Sequence, residues 1–186
     1  MIIQSRILIS GGVGSNVRFE SDCYDVNQEL QIILVDPTVS IVRMIVRAIY
    51  HFIKKGQSGF RSLSEVLNYL FLVRQSKLIK KFLGSDYTLN DILNSQRVQP
   101  KGKCIFVKLD IEGAEYDLLS DIINIKEKLT GVCIEFHDLH YQENRDKLAF
   151  FLAELKFLIV HVSVNEVCLT EGNYPSVLEI SLVPSD

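Results

Sequence analysis

Val107-Lys108-Leu109-Asp110-Ile111-Glu112-Gly113-Ala114-Glu115 is an apolar run that breaks off in an acidic turn. Lys103-Cys104-Ile105-Phe106 leads into it, so the strand it predicts is hydrophobic nearly throughout. That is the pattern of a strand covered on both faces in a parallel sheet. The carboxylates come where the run ends. In an open α/β sheet, ligands bind in the crevice outside the carboxyl ends of the strands, so Asp110 and Glu112 are the first candidates for a site.

Working toward the N-terminus, Arg6-Ile7-Leu8-Ile9-Ser10 is a second apolar run, closed by Gly11-Gly12-Val13-Gly14. A helix is expected from Val17 to Leu30, followed by a strand over Gln31-Ile32-Ile33-Leu34-Val35 that ends in Asp36. Strand, glycine turn and helix form the first unit of a nucleotide-binding sheet, because glycine lets the backbone turn tightly and approach a ligand. An acid about 20 residues further on can accept hydrogen bonds from a ribose diol. Gly12 and Gly14 also suit an ordinary strand-to-helix turn, and Asp36 before Pro37 an ordinary turn start. The three spaced glycines of the dinucleotide fingerprint are missing.

The segment Lys108 to Glu115 resembles the K-L-D-I-E-G-A-E signature of the FkbM-type S-adenosylmethionine-dependent methyltransferases. So do the glycine turn, Phe19-Glu20, Asp36-Pro37-Thr38 and the C-terminal Val177-Leu178-Glu179-Ile180. The resemblance implies a Rossmann-like class I methyltransferase fold. It would have a mostly parallel sheet, an antiparallel C-terminal hairpin and helices on both faces. It implies S-adenosylmethionine as cofactor, with Gly12, Gly14, Glu20, Asp36, Asp110 and Glu112 around it. It further implies O-methylation of a sugar or another small hydroxylated metabolite. This ligand has no pyrophosphate to cradle, which agrees with the loose glycine turn. Two departures stand out: Ser10 occupies a strand end where many relatives carry an acid, and the third strand is not evident.

The 186 residues read as one domain with a basic helical insertion at about 41–82. Arg43, Arg47 and His51 recur every four residues and share one face of a helix. A second helix is expected from Ser62 to Phe82, with Ser62 and Glu65 spaced as a capping box. Within it, Leu67 to Val73 is short enough to be read as the third strand instead. From Arg43 to Lys81 nine Lys or Arg stand against the single acid Glu65, although the whole chain carries a net charge of −3. So one-sided a segment suits an anionic contact: a charged acceptor or glycan held by Arg43 and Arg47, a membrane surface, or RNA. Oligomeric state is left open.

Cys23, Cys104, Cys133 and Cys168 are far apart and form no C-x-x-C pair, which argues against a zinc ribbon. They read as reduced thiols of a cytoplasmic protein. No secretion signal is recognisable, and no window approaches the roughly 18 uninterrupted apolar residues of a membrane span, so a soluble chain is expected.

Beyond the acidic turn, a helix is expected over Tyr116 to Ile125 and a strand over Gly131 to Phe136, ending at His137-Asp138-Leu139-His140. A helix from Arg145 to Leu155 precedes two final strands, Leu158 to Asn165 and Val177 to Val183, that form the hairpin. Methyl transfer from a sulfonium is an in-line displacement that needs the acceptor hydroxyl aligned and deprotonated. His137 and Asp110 are the candidate catalytic bases. Asp110 and Glu112, with His140, could instead hold a divalent metal, a less favoured reading. Lys108 is expected to pair with Glu135, Asp138 to cap the next helix, His161 to sit satisfied in the core, and Asn165 to touch substrate. An RNA methyltransferase and a non-catalytic cofactor-binding or membrane-associated subunit are the alternative functions.

Overall fold

The computed structural model describes residues 2–14, 16–40, 42, 45–46, 49–50, 59–84, 87–96, 102–164 and 174–185, without the side chains of 59–65. Seven strands form one sheet: β1 (Ile7–Gly11), β2 (Gln31–Val35), β3 (Lys77–Ile79), β4 (Ile105–Leu109), β5 (Leu129–Phe136), β6 (Leu158–Val164) and β7 (Leu178–Val183). Their order across the sheet is β3-β2-β1-β4-β5-β7-β6. All neighbours are parallel up to β5, and β7 then runs antiparallel to both β5 and β6. The order reverses between β1 and β4, which places a crevice at the ends of these two strands.

Strands β1, β2, β4 and β5 are largely hydrophobic because both of their faces are covered. Ile9, Val107, Leu109, Ile134 and Phe136 face one core with Leu118, Ile122 and Phe151. These last residues come from a 3-10 turn (Ala114–Leu118) and from helices α4 (Leu119–Asn124) and α5 (Gln142–Leu155). Leu8, Ile32, Leu34 and Phe106 face the second core with Cys23 of α1 (Arg18–Val26) and Tyr69 and Leu72 of α2 (Gly59–Gln75). Helix α3 (Leu89–Ser95) opens with a capping box, Thr88 accepting from the Asp91 backbone N–H while the Asp91 carboxylate reaches back to Thr88. The buried free thiols Cys23, Cys104 and Cys133 are consistent with reduced core cysteines. Cys168 lies outside the described residues.

Several boundaries differ from expectation. Helix α1 stops at Val26, because the Asn27 side chain turns away to donate to the carbonyls of Ile2 and Ser5. The third strand exists: Lys77-Leu78-Ile79, expected to be helical, leaves α2 after Gln75 and pairs with Ile33 to Val35. Leu67 to Val73 is therefore helix, and only three residues carry the strand. Helix α2 begins at Gly59, ahead of the expected capping box at Ser62 and Glu65. Asp138 does not cap α5, which starts after Tyr141; Asp138 instead takes a left-handed backbone (φ +54°) and its carbonyl accepts the Tyr141 N–H. His161 is exposed rather than buried, since every residue of β6 is exposed, and its Nε2 lies 3.9 Å from Glu179.

Candidate active site

Gly12 is what allows β1 and β4 to close on each other. Its φ is +72°, and a Cβ at that position would lie 1.6 Å from the carbonyl oxygen of Asp110, so no other residue fits. The backbone N–H of Asp110 donates to the Gly11 carbonyl, and that of Gly12 to Val35. Two residues on, the Gly14 N–H donates to Oδ2 of Asp36 at 2.7 Å. One short loop thus touches both acids and sets the ends of β1, β2 and β4 side by side.

Asp36 is buried, and its oxygens are already at work. Oδ1 accepts from the backbone N–H and the hydroxyl of Thr38, both at 2.6 Å, while Oδ2 has Gly14 as its one donor among the described residues. A carboxylate oxygen has two lone pairs, so Oδ2 keeps one acceptor position for a ligand hydroxyl. Gly14 has φ +55° and nothing within 4 Å of where a Cβ would stand, so its backbone faces open space. Open backbone, a spare acceptor and absent side chains together fit a ribose-bearing ligand.

Glu20 has a different surrounding. It is fully buried, accepts a 2.5 Å hydrogen bond from the Ser10 hydroxyl, and its second oxygen has no partner among the described residues. Glu20 of α1 thus brings a carboxylate to Ser10 on β1. Glu112 stands exposed at the tip of the acidic turn in a left-handed conformation (φ +48°), costly for a residue with a Cβ.

The end of β5 contributes the second half of the site. Glu115, fully buried, accepts from the backbone N–H of His137 at 2.7 Å and lies 3.3 Å from its Nδ1; its other oxygen accepts the Gly113 N–H. The Tyr116 hydroxyl donates to the His137 carbonyl at 2.6 Å. Burial works against the charge on Glu115, yet these hydrogen bonds from His137 and the backbone win and hold its carboxyl below the usual range. The hydrogen bond to Glu115 in turn raises the pKa of His137, against the opposing effect of desolvation. An ionised carboxylate can only accept, so Nδ1 carries the proton and Nε2 lies 3.8 Å from Oε1 of Glu135.

Asp110, Glu135 and His137 each bring one ligating atom within 4.8 Å of the others, the spacing of a group that could hold a cation. That group includes neither Glu112 nor His140. Burial and then the neighbouring Asp110 push the Glu135 carboxyl up. Lys108 does not pair with Glu135 as expected; its Nζ lies 3.6 Å from Asp110 Oδ2 and donates to the Gly12 carbonyl at 3.3 Å, tying the glycine loop to the acid.

Asn165, Arg43 and Arg47 lie outside the described residues. Glu115 and Glu135 were the residues missed from sequence. Glu115 directly precedes the helix expected from Tyr116, where an acid simply favours the helix start, and only the return of β5 beside β4 brings it to His137.

A model of the methyltransferase FkbM domain matches residues 49–163, more than half of the chain. No curated protein matches. Among solved structures, the precorrin-6y C5,15-methyltransferase of Geobacter metallireducens superposes with a TM-score of 0.51 at 12% identity, covering 98% of this chain and 81% of that one. The fibrillarin pre-rRNA processing protein of Methanococcus jannaschii gives 0.51 at 12% identity, over 98% and 67%. The Aeropyrum pernix fibrillarin with natively bound S-adenosyl-L-methionine gives 0.52 at 12% identity, over 98% and 68%. At such identities the structural likeness establishes the class I methyltransferase architecture, while the family model speaks for the chemistry. The chain belongs to the FkbM methyltransferase family and is an S-adenosylmethionine-dependent methyltransferase.

Proposed function

We propose that the chain methylates a hydroxyl oxygen of a sugar or a comparable small hydroxylated metabolite, with His137 as general base. The observation that carries this reading is the buried Glu115, which fixes the His137 ring through Nδ1 and leaves Nε2 at the crevice beside Asp110 and Glu135. S-adenosylmethionine, when bound, supplies a methyl group on a sulfonium centre. Gly14 admits it close to the backbone while Gly12 holds the loop against Asp110, and the spare acceptor on Asp36 takes a ribose hydroxyl.

His137 Nε2 receives the acceptor's hydroxyl proton as the oxygen bonds to carbon, and Glu115 stabilises the imidazolium that results. Asp110, held by Lys108, orients the hydroxyl toward the methyl group. A positioned base of this kind contributes about 10²–10⁴ in rate. Incubation with methyl-labelled cofactor and a panel of sugars and hydroxylated small molecules tests the reading. Label is expected in an alkali-stable methyl ether, with turnover cut at least about a hundredfold in His137→Gln. Label found only in RNA, or an unchanged rate in the variant, would replace it.

A further inference from the structure

We infer that Val42, Ile45, Val46 and Ile49, set in a stretch of sequence rich in Lys and Arg, dock the protein onto an anionic lipid surface. Val42, Ile45, Val46 and Ile49 are helical and spaced i, i+3, i+4, i+7, so they line one stripe of the helix. All four are exposed, from 39% at Ile45 to 70% at Val42, and Tyr50 beside them is exposed as well. A stripe that ought to be buried is thus turned outward.

Charge selects what covers it. Residues 43–81 hold nine Lys or Arg and one acid; the rest of the chain holds the remaining 11 basic residues (20 less nine) and 22 acidic ones (23 less one). An apolar stripe within a cationic segment is the design of a helix lying in the headgroup region. Basic residues there gain from anionic lipid, while the acidic remainder is repelled and keeps the rest of the molecule away from the bilayer. A second copy docking through the same stripe would press two cationic segments together. Nucleic acid would use the charge but leave the aliphatic residues in water. Among the described residues no helix is long and apolar enough to cross a membrane, so the contact lies on the surface.

The test is co-sedimentation of the full chain with vesicles of phosphatidylcholine mixed with phosphatidylserine, against pure phosphatidylcholine. Binding is expected only to the mixed vesicles, falling as salt rises, and weakened at least about tenfold in Ile45→Glu/Ile49→Glu. Adenosylmethionine binding in the double variant checks that it is folded and leaves the methyl-transfer reading to stand or fall separately. The chain has no tryptophan, so Val46→Trp provides a fluorescence reporter without background, and its emission is expected to shift to the blue on the mixed vesicles. The inference is overturned if the wild type does not sediment, if the double variant binds equally, or if the reporter does not shift. Dimerisation that the double variant abolishes without any vesicle binding would overturn it in favour of a second copy. RNA binding that survives the double variant, again without vesicle binding, would do so in favour of nucleic acid.

Discussion

Oε1 of Glu115 lies 2.7 Å from the backbone nitrogen of His137 and 3.3 Å from Nδ1 of its ring, although the two residues are 22 apart in sequence. One buried carboxylate therefore sets both the position of the strand end and the orientation of the imidazole. Each group favours the charged form of the other, and the consequences for pH follow from that.

In Glu115→Gln the His137 ring loses the partner that raises its pKa, so the acid limb of the rate profile moves to lower pH while the plateau rate drops. Stability has its own signature. The raised His137 contributes fully below its ordinary value of 6.5, and that contribution is lost as pH rises through the higher folded value. The lowered Glu115 contributes above its ordinary value of 4.5, and that contribution is lost as pH falls through the lower folded value. Melting curves of wild type and variant should therefore differ most between 4.5 and 6.5 and converge on either side. A difference that does not vary with pH would refute the ion pair.

Gly12→Ala and Gly14→Ala separate fold from ligand. At Gly12 the new methyl group meets the Asp110 carbonyl at 1.6 Å, and backbone cannot yield as a side chain would. We expect a loss of about 3 kcal/mol or more and a cofactor site that no longer assembles. Gly14→Ala meets nothing within 4 Å and bears only the left-handed strain, about 1–2 kcal/mol. That variant should fold, yet bind the cofactor weakly because its methyl group stands where the ligand enters. Denaturant unfolding alongside titration calorimetry distinguishes the two, and equal behaviour of the pair would count against the loop assignment.

The inner strands were legible because they are largely apolar on both faces, and β2 falls where expected, Gln31 to Val35. β3 was hidden for a physical reason: three residues are too few for a periodicity, and only Ser76 separates Lys77 from the end of the preceding helix. The candidate site was half legible. Acids and glycines at strand ends announce themselves by position, whereas Glu115 reads as a favourable charge at a helix start until β5 is laid beside β4. Lys108 was assigned the wrong partner for the same reason. Alternation gives the face of a strand, but not whether a long side chain turns along its own strand to Asp110 or across to Glu135.

Asp36→Asn probes the joint between β1 and β2. The carboxylate receives three hydrogen bonds on two oxygens, from Gly14 and twice from Thr38. Asn offers one acceptor oxygen, and its NH₂ faces another donor whichever way it is turned. A loss of roughly 1–3 kcal/mol is expected, with cofactor affinity falling more than tenfold as the glycine loop loosens. Hydrogen exchange at the Gly14 amide reads the first effect directly. Protection there equal to wild type would show that Asp36 does not hold the loop.

Lys108→Met removes a cation that lies beside Asp110 and donates to the Gly12 carbonyl, and that acts on Glu135 together with His137. Burial and Asp110 already push Glu135 up, and Lys108 is among the groups that restrain this, so its loss raises the Glu135 carboxyl further. The folded state then keeps a proton that the unfolded chain has released, and stability falls as pH rises from about 4.5 to the raised folded value. The variant should lose stability more steeply than wild type over that interval, and in parallel with it above. Partial exposure of Asp110 keeps the total cost low, on the order of 1 kcal/mol. Urea denaturation at a series of pH values measures both slopes. Identical slopes would mean that Lys108 serves the glycine loop alone and does not act on the charge of Glu135.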